Sequence, residues 1–453
     1  MKTTNTIKLL IVALMLKFNP LAAQQSKTAP AWSSNTNIYE VNLRQYTKGG
    51  KFSDFAKELP RLKKMGVELL WLMPIHPVGV EGRKGSLGSY YAVKNYKEVS
   101  PEFGTMDDFK TLVKTAHDMG MKIIIDWVAN HTSPDNIWVK EHPEFYTKDD
   151  KGKFVPPVPD WSDVIDLDYN NKALRIAMID AMNFWLKETD IDGFRCDVAE
   201  MVPTDFWIDC RTELDKTKKI FFLAEGGIPE LHKAFDMTYS WNVYHAFKGF
   251  FKKEKTVDDV KKIIDSERKD FKPEDLRMYF TSNHDENSWN ATEFEAFGKA
   301  SSAMSVVTYT LGGMPLIYSG QESAFDHRLQ FFDKDPIGWG NYSLLDFYTK
   351  LAAIKKNNPA LDAGKDGGNF EWINTNNTNL IAYKRKKGNN EVITVINMSN
   401  TKQKINAADL TIKEYKDFLA DDKCGIYELT NYDFSTKVSL ELNEFGYLIL
   451  IKK

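Results

Sequence analysis

Short apolar runs recur along this chain at intervals that leave room for one helix between each pair. They occupy residues 37–43 (NIYEVNL), 67–75 (VELLWLMPI), 122–128 (KIIIDWV), 193–199 (GFRCDVA), 220–226 (IFFLAEG), 234–239 (AFDMTY), 277–283 (RMYFTSN) and 314–320 (MPLIYSG). Between most of them the apolar period switches to three or four. Residues 107–119 place Phe109, Leu112, Val113, Ala116 and Met119 on one helical face, and residues 174–187 and 342–355 behave alike. Eight strand–helix alternations predict an α/β fold, a (β/α)8 TIM barrel. A doubly wound open sheet would want a G-x-G-x-x-G turn after the first strand, and none is there.

Three stretches break the alternation. Lys2 and Lys8 precede an unbroken apolar run over residues 9–16, followed by small residues before Gln24. Residues 1–23 therefore read as an export signal, and the run is far shorter than the roughly 20 residues of a membrane span. Its removal takes Lys2, Lys8 and Lys17, moving the formal charge from −3 to −6. No later stretch is long enough to cross a bilayer. The expectation is an exported protein, periplasmic or extracellular. Residues 131–168, with KFVPPVPD at 153–160, are too long and proline-rich for a simple connector and predict an excursion over the barrel mouth. Residues 363–453 change to strands, at 380–385, 391–398, 437–442 and 446–451, separated by Asn- and Gly-rich turns. The predicted organisation is a barrel over 24–362, with its insertion at about 131–168, and a C-terminal β-sandwich.

The composition excludes several classes. With 60 Lys and Arg against 63 Asp and Glu there is no basic excess for nucleic acid. Three cysteines, Cys196, Cys210 and Cys424, cannot build a disulfide framework, although Cys196 and Cys210 are close enough in sequence to pair. No zinc-ligand spacing occurs. Nothing in the sequence sets the oligomeric state.

Barrel active sites lie at the C-terminal ends of the strands. There the chain carries acids. The third run leads into DWVANH (126–131), the fourth contains Arg195 and Asp197, the fifth ends at Glu225, and the seventh leads into SNHDEN (282–287). Strand alternation puts Arg195 and Asp197 on one face, with Phe194, Cys196 and Val198 on the other. One such pair could merely cap the barrel, but acids at two further strand ends argue for a site. Two carboxyls, one nucleophile and one proton donor, are what glycoside cleavage requires. Arg195 is expected to hold Asp197 ionised, and the apolar approach to Glu225 to raise its pKa.

The blocks DWVANH (126–131), GFRCDVA (193–199), LAEG (223–226) and FTSNHD (280–285), in that order, resemble those of the alpha-amylase family, the family 13 retaining glycoside hydrolases. GMP (313–315) with YSGQE (318–322) resembles a further block at the eighth strand. The resemblance implies that Asp197 is the nucleophile, Glu225 the general acid/base and Asp285 the third carboxylate. It implies that Arg195 orients the nucleophile, that His131 and His284 hydrogen-bond the sugar, and that Tyr91 (with Tyr90 as the alternative) is the platform beneath it. It implies an α-glucan or maltooligosaccharide substrate cleaved at α-1,4 bonds, with the excursion as domain B and the C-terminal region as domain C. An α-glucosidase or a cyclomaltodextrinase/neopullulanase-type enzyme are alternatives within the family; an inactive glucan-binding paralogue is the distant one. Retention would place the two carboxyls ~5–5.5 Å apart.

No cofactor is needed for this chemistry. The resemblance also implies a structural calcium ion, for which Asn130 and Asp166 offer oxygen ligands. The family's Lys-His pair after the nucleophile is replaced here by Glu200 and Met201, and its Asp-rich calcium loop by QYTKGG at 45–50. Trp161, Trp241, Trp289 and Trp339 fall near the expected mouth loops, either as sugar platforms or as packing.

Overall fold

A computed structural model describes residues 29–406, 410, 415–417 and 439–452. The export signal assigned to residues 1–23 and Cys424 lie outside the described residues. Eight parallel strands close into a barrel: β1 (Ile38–Val41), β2 (Leu69–Leu72), β3 (Lys122–Trp127), β4 (Gly193–Cys196), β5 (Phe221–Ala224), β6 (Met237–Tyr239), β7 (Leu276–Tyr279) and β8 (Met314–Tyr318). Each falls on one of the eight apolar runs. β1 pairs with both β2 and β8, which closes the circle.

The alternation read in the fourth run holds in three dimensions. Phe194 points outward and meets the rings of Trp127 and Phe222 edge-on. Arg195 points inward and is fully buried. The outer helices follow their apolar periods: Met106–Asp118 buries Phe109, Leu112, Val113 and Ala116, and starts with Thr105 and Asp108 in a capping box. Lys172–Thr189 and Leu345–Asn357 cover the other two expected helical stretches.

The excursion after β3 is small. His131–Thr132 pairs antiparallel with Ile165–Asp166, and a helix at Ile137–Glu141 lies between. Tyr96, Trp127 and Trp185 surround His76 below it, and neither ring nitrogen of His76 has a partner.

In the C-terminal region β9 (Asn369–Trp372), β10 (Leu380–Lys387), β11 (Asn390–Asn397), β13 (Tyr415–Asp417) and β15 (Tyr447–Lys452) form one sheet in the order β9-β10-β11-β15-β13. A second ladder pairs β12 (Gln403–Asn406) with β14 (Ser439–Leu442). Leu380, Ile393, Leu448, Ile405 and Leu440 share one core between the two, as in a sandwich. β9, β12 and β13 had no counterpart among the runs read from sequence. The sheet's other face docks on the barrel, where Arg385 donates to the Leu311 carbonyl at 2.6 Å. That carbonyl ends the helix Ser301–Thr310, where the helix dipole favours a cation. Cys196 and Cys210 are buried free thiols, not a disulfide. Among the described residues no helix is long and apolar enough to cross a membrane.

Candidate active site

The parallel register of β3 and β4 sets Asp126 beside Arg195. Both point into the barrel and both are fully buried. Arg195 Nη1 donates to Asp126 Oδ1 at 2.9 Å and to Asp197 Oδ1 at 3.1 Å, and its Nη2 lies 2.9 Å from Glu225 Oε2. One guanidinium thus serves three carboxylates. Trp71 faces the same cation, 4.9 Å from its ring centroid, and its indole N–H donates to Asp126.

Val198 follows Asp197 in a left-handed conformation, φ 36°, which a β-branched residue adopts only under strain. That turn aims the Val198 N–H at Glu225 Oε2, 2.7 Å away. Burial pushes the Asp197 carboxyl well up, reinforced by the Glu225 charge beside it. Burial would raise Glu225 as well, but Arg195 and the Val198 N–H outweigh it and hold Glu225 below its usual range. This reverses the expectation from sequence. Alternation placed Arg195 next to Asp197 but could not show that Asp126 and Glu225 divide its charge. The two acids share one guanidinium, and their titrations are linked.

His284 lies across the mouth. Its Nδ1 meets Glu40 Oε1 at 2.5 Å, its Nε2 meets the Tyr91 hydroxyl at 2.7 Å, and Asp285 Oδ2 is 3.3 Å from Nε2. Burial opposes its charge, but Asp285 and Glu40 outweigh burial and raise it to about 9. His131 is the opposite case: burial lowers it to about 4, and Asn130 Nδ2 lies 3.2 Å from its Nδ1.

A pocket of about 320 Å³ opens on these groups and is lined by Asp197, Glu225, Asp285, Tyr91, His131 and His284. Arg195 lies beneath, reaching the pocket through the two acids. Tyr91 lies nearly parallel to Phe331, whereas Tyr90 sits under the Arg44 guanidinium and donates to Asn42, a packing role. Trp161 and Trp289 also line the pocket. Trp339 does not: it packs on Tyr46 and donates to the Tyr46 carbonyl. Trp241 stacks on Tyr239.

Of the two oxygen ligands expected for calcium, Asn130 has its amide nitrogen 3.2 Å from His131 Nδ1, and Asp166 accepts from the Thr147 hydroxyl at 2.6 Å while burial raises its carboxyl. Among the described residues no three His, Cys, Asp or Glu gather as a metal site.

Sequence reasoning gave no role to Glu40 or Trp71. Glu40 left a trace, a lone acid inside an apolar run; Trp71 left none.

A closed parallel barrel with acids at the ends of β4, β5 and β7 defines a glycoside hydrolase. The catalytic-domain profile of the alpha-amylases matches residues 31–161 and 158–340, and the chain belongs to that family. It is 30% identical to an alpha-amylase from Lactobacillus plantarum of known structure, with a TM-score of 0.81 over 92% of this chain and 99% of that one. It is 31% identical to a noncanonic maltogenic alpha-amylase, AmyB, from Thermotoga neapolitana, with a TM-score of 0.77 over 92% and 96%. Among curated relatives, it is 25% identical to alpha-amylase MalA of Haloarcula japonica over 84% of this chain, spanning 58% of that protein's length. It is 26% identical to alpha-amylase 3 of Dictyoglomus thermophilum, over 83% of this chain and 87% of that one. Other curated relatives include cyclomaltodextrin glucanotransferases and maltosyltransferases.

Proposed function

We propose that this chain is an exported, retaining hydrolase of α-1,4-glucosidic bonds in starch-like glucans or maltooligosaccharides. One observation carries the reading: the two outer nitrogens of the Arg195 guanidinium hold Asp197 and Glu225 side by side, at 3.1 and 2.9 Å. Carboxyls that close leave no room for the attacking water that inversion requires between acid and base.

The reaction needs Glu225 protonated and Asp197 ionised beside Arg195 once the sugar is bound. Asp197 attacks the anomeric carbon as Glu225 protonates the departing glycosidic oxygen. Glu225, now a base, takes a proton from water, which attacks the same carbon, frees Asp197 and restores the anomeric configuration. His284, cationic below about pH 9, donates to a sugar hydroxyl, Asp285 accepts from the sugar hydroxyls, and Tyr91 packs under the ring. Asn130 and Asp166 enter no step.

Proton NMR of maltotriose hydrolysis tests this. The first-formed product should be the α-anomer, and Asp197→Asn should abolish turnover. First appearance of the β-anomer, or full activity in Asp197→Asn, would sink the reading.

A further inference from the structure

Aromatic rings in this barrel are covered, with one exception. Trp289 stands 51% exposed, and among the described residues of the barrel no other Phe, Tyr or Trp is as exposed. It lines the pocket just beyond Asp285 in the chain. Its ring meets Phe331 at 4.9 Å and Phe332 at 5.6 Å between centroids. Phe331 in turn lies 6.2 Å from Tyr91, with 15° between their planes. All four rings line the same pocket. The aromatic wall therefore continues from Tyr91 through Phe331 to Trp289, and Trp289 is its exposed end.

The turn that carries this ring is held firmly. Glu286–Asn290 forms a single π turn, with the Ala291 N–H donating to the Glu286 carbonyl at 2.8 Å. Such turns are rare, and they are frequent at functional sites. Buried side chains anchor it on both flanks. Glu286 accepts from the Tyr244 hydroxyl at 2.7 Å and from Lys248 Nζ at 2.6 Å, both on the helix Trp241–Phe251. Asn287 donates to the His327 carbonyl and accepts from the Leu329 N–H, each at 3.0 Å, in the segment after β8. With Glu286 and Asn287 committed to anchoring, the turn presents Trp289 to the pocket on a fixed backbone. An indole left in water forgoes the gain of burial, and the apolar C–H face of a pyranose ring is a surface that would cover it.

We propose that Trp289 is a second sugar platform, stacking the glucose next to the one over Tyr91 and so favouring oligosaccharides over single glucosyl units. This rests on the hydrolase reading above and adds to it the residue that grips the neighbouring sugar.

The probes are maltoheptaose and α-glucosyl fluoride, whose one sugar fills only the place over Tyr91. Trp289→Ala should raise KM for maltoheptaose by about three- to tenfold, the worth of one aromatic contact, with kcat nearly unchanged. On the fluoride it should match the parent. Trp289→Tyr keeps an aromatic face and should restore most of the lost affinity. A binding measurement stands beside the kinetics. In Asp197→Asn protein, maltoheptaose should shift tryptophan emission to shorter wavelength as sugar displaces water from the exposed indole, and adding Trp289→Tyr should remove most of that shift. An unchanged KM for maltoheptaose in Trp289→Ala would overturn the inference. So would a loss that falls on kcat, appears equally on the fluoride and is not restored by Trp289→Tyr, because that is how a mere support for Asp285 would behave. Either result leaves the hydrolase reading intact. A parent enzyme that cleaves neither maltoheptaose nor starch would instead defeat the hydrolase reading, and the emission shift would still decide whether Trp289 meets sugar.

Discussion

Glu40 and His284 stand 244 residues apart in the chain, yet Glu40 Oε1 lies 2.5 Å from His284 Nδ1. Glu40 is fully buried on β1, and together with Asp285 it raises His284 to about 9. A cationic His284 carries a proton on Nε2 as well as on Nδ1, so it can donate to a sugar hydroxyl while Nδ1 stays on Glu40. kcat/KM should therefore fall on the alkaline side with a pKa near 9. Glu40→Gln keeps the shape but removes the charge, and should move that limb toward acid by about one pH unit. A pH–rate profile whose alkaline limb stays in place in Glu40→Gln would refute this control.

The barrel was legible because its signal is local. Each strand run and helix face carries its own period, and eight of them in order leave few folds to choose from. The positions of Asp197, Glu225 and Asp285 followed from the same logic. What was not legible depends on contacts that no local pattern encodes. Arg195 was visible, but not that Asp126 and Glu225 share its charge, so Asp197 is pushed up and Glu225 held down, against the directions expected. Glu40 could be noticed as an acid among apolar residues but not matched to His284. Lys84, in the loop after β2, pairs with Asp163 of the excursion after β3 at 3.0 Å, joining two loops whose sequences carry no period at all.

Asp126 is the hidden member of the site. It accepts from Arg195 at 2.9 and 3.2 Å, from Trp71 at 3.1 Å and from the Tyr91 hydroxyl at 3.2 Å, with no exposure to water. Asp126→Ala would leave part of the Arg195 charge buried without its partner, and should cost about 3–5 kcal/mol of folding stability. Asp126→Asn keeps two acceptor sites and should cost less stability, but it leaves Arg195 to Asp197 and Glu225 alone. Denaturant unfolding measures the first effect and kcat the second. A stable, fully active Asp126→Ala protein would show that the hub is dispensable.

Two buried groups set opposing pH trends in stability. Lys355 donates to the Gly313 and Leu361 carbonyls; burial, aided by Arg385 and opposed by Asp362, lowers it to about 7. Between pH 7 and ~10.4 the unfolded chain binds its proton and the folded chain does not, so stability rises with pH. His284, raised to about 9, does the reverse: its contribution is complete below ~6.5 and is lost as pH rises through 9. From pH 7 to 9 the two slopes offset each other. Lys355→Met removes the rising one. Its melting temperature should be lower overall and should fall from pH 7 to 9 more steeply than that of the parent. Parallel curves for the two proteins would show that Lys355 does not titrate in this range.

The two carboxyls can be told apart by the leaving group. Glu225 is needed only where the departing oxygen must be protonated; Asp197 is needed to form the glycosyl ester whatever departs. Fluoride leaves without a proton. On maltotriose, Glu225→Gln should lose on the order of 10²–10⁴-fold in kcat, the usual worth of a general acid. On α-maltosyl fluoride the first step should be nearly unimpaired, so a burst of fluoride should precede slow hydrolysis of the trapped ester. Asp197→Asn should show neither burst nor turnover on either substrate. A burst from Asp197→Asn, or equal losses on both substrates in Glu225→Gln, would mean that the roles are assigned to the wrong carboxyls.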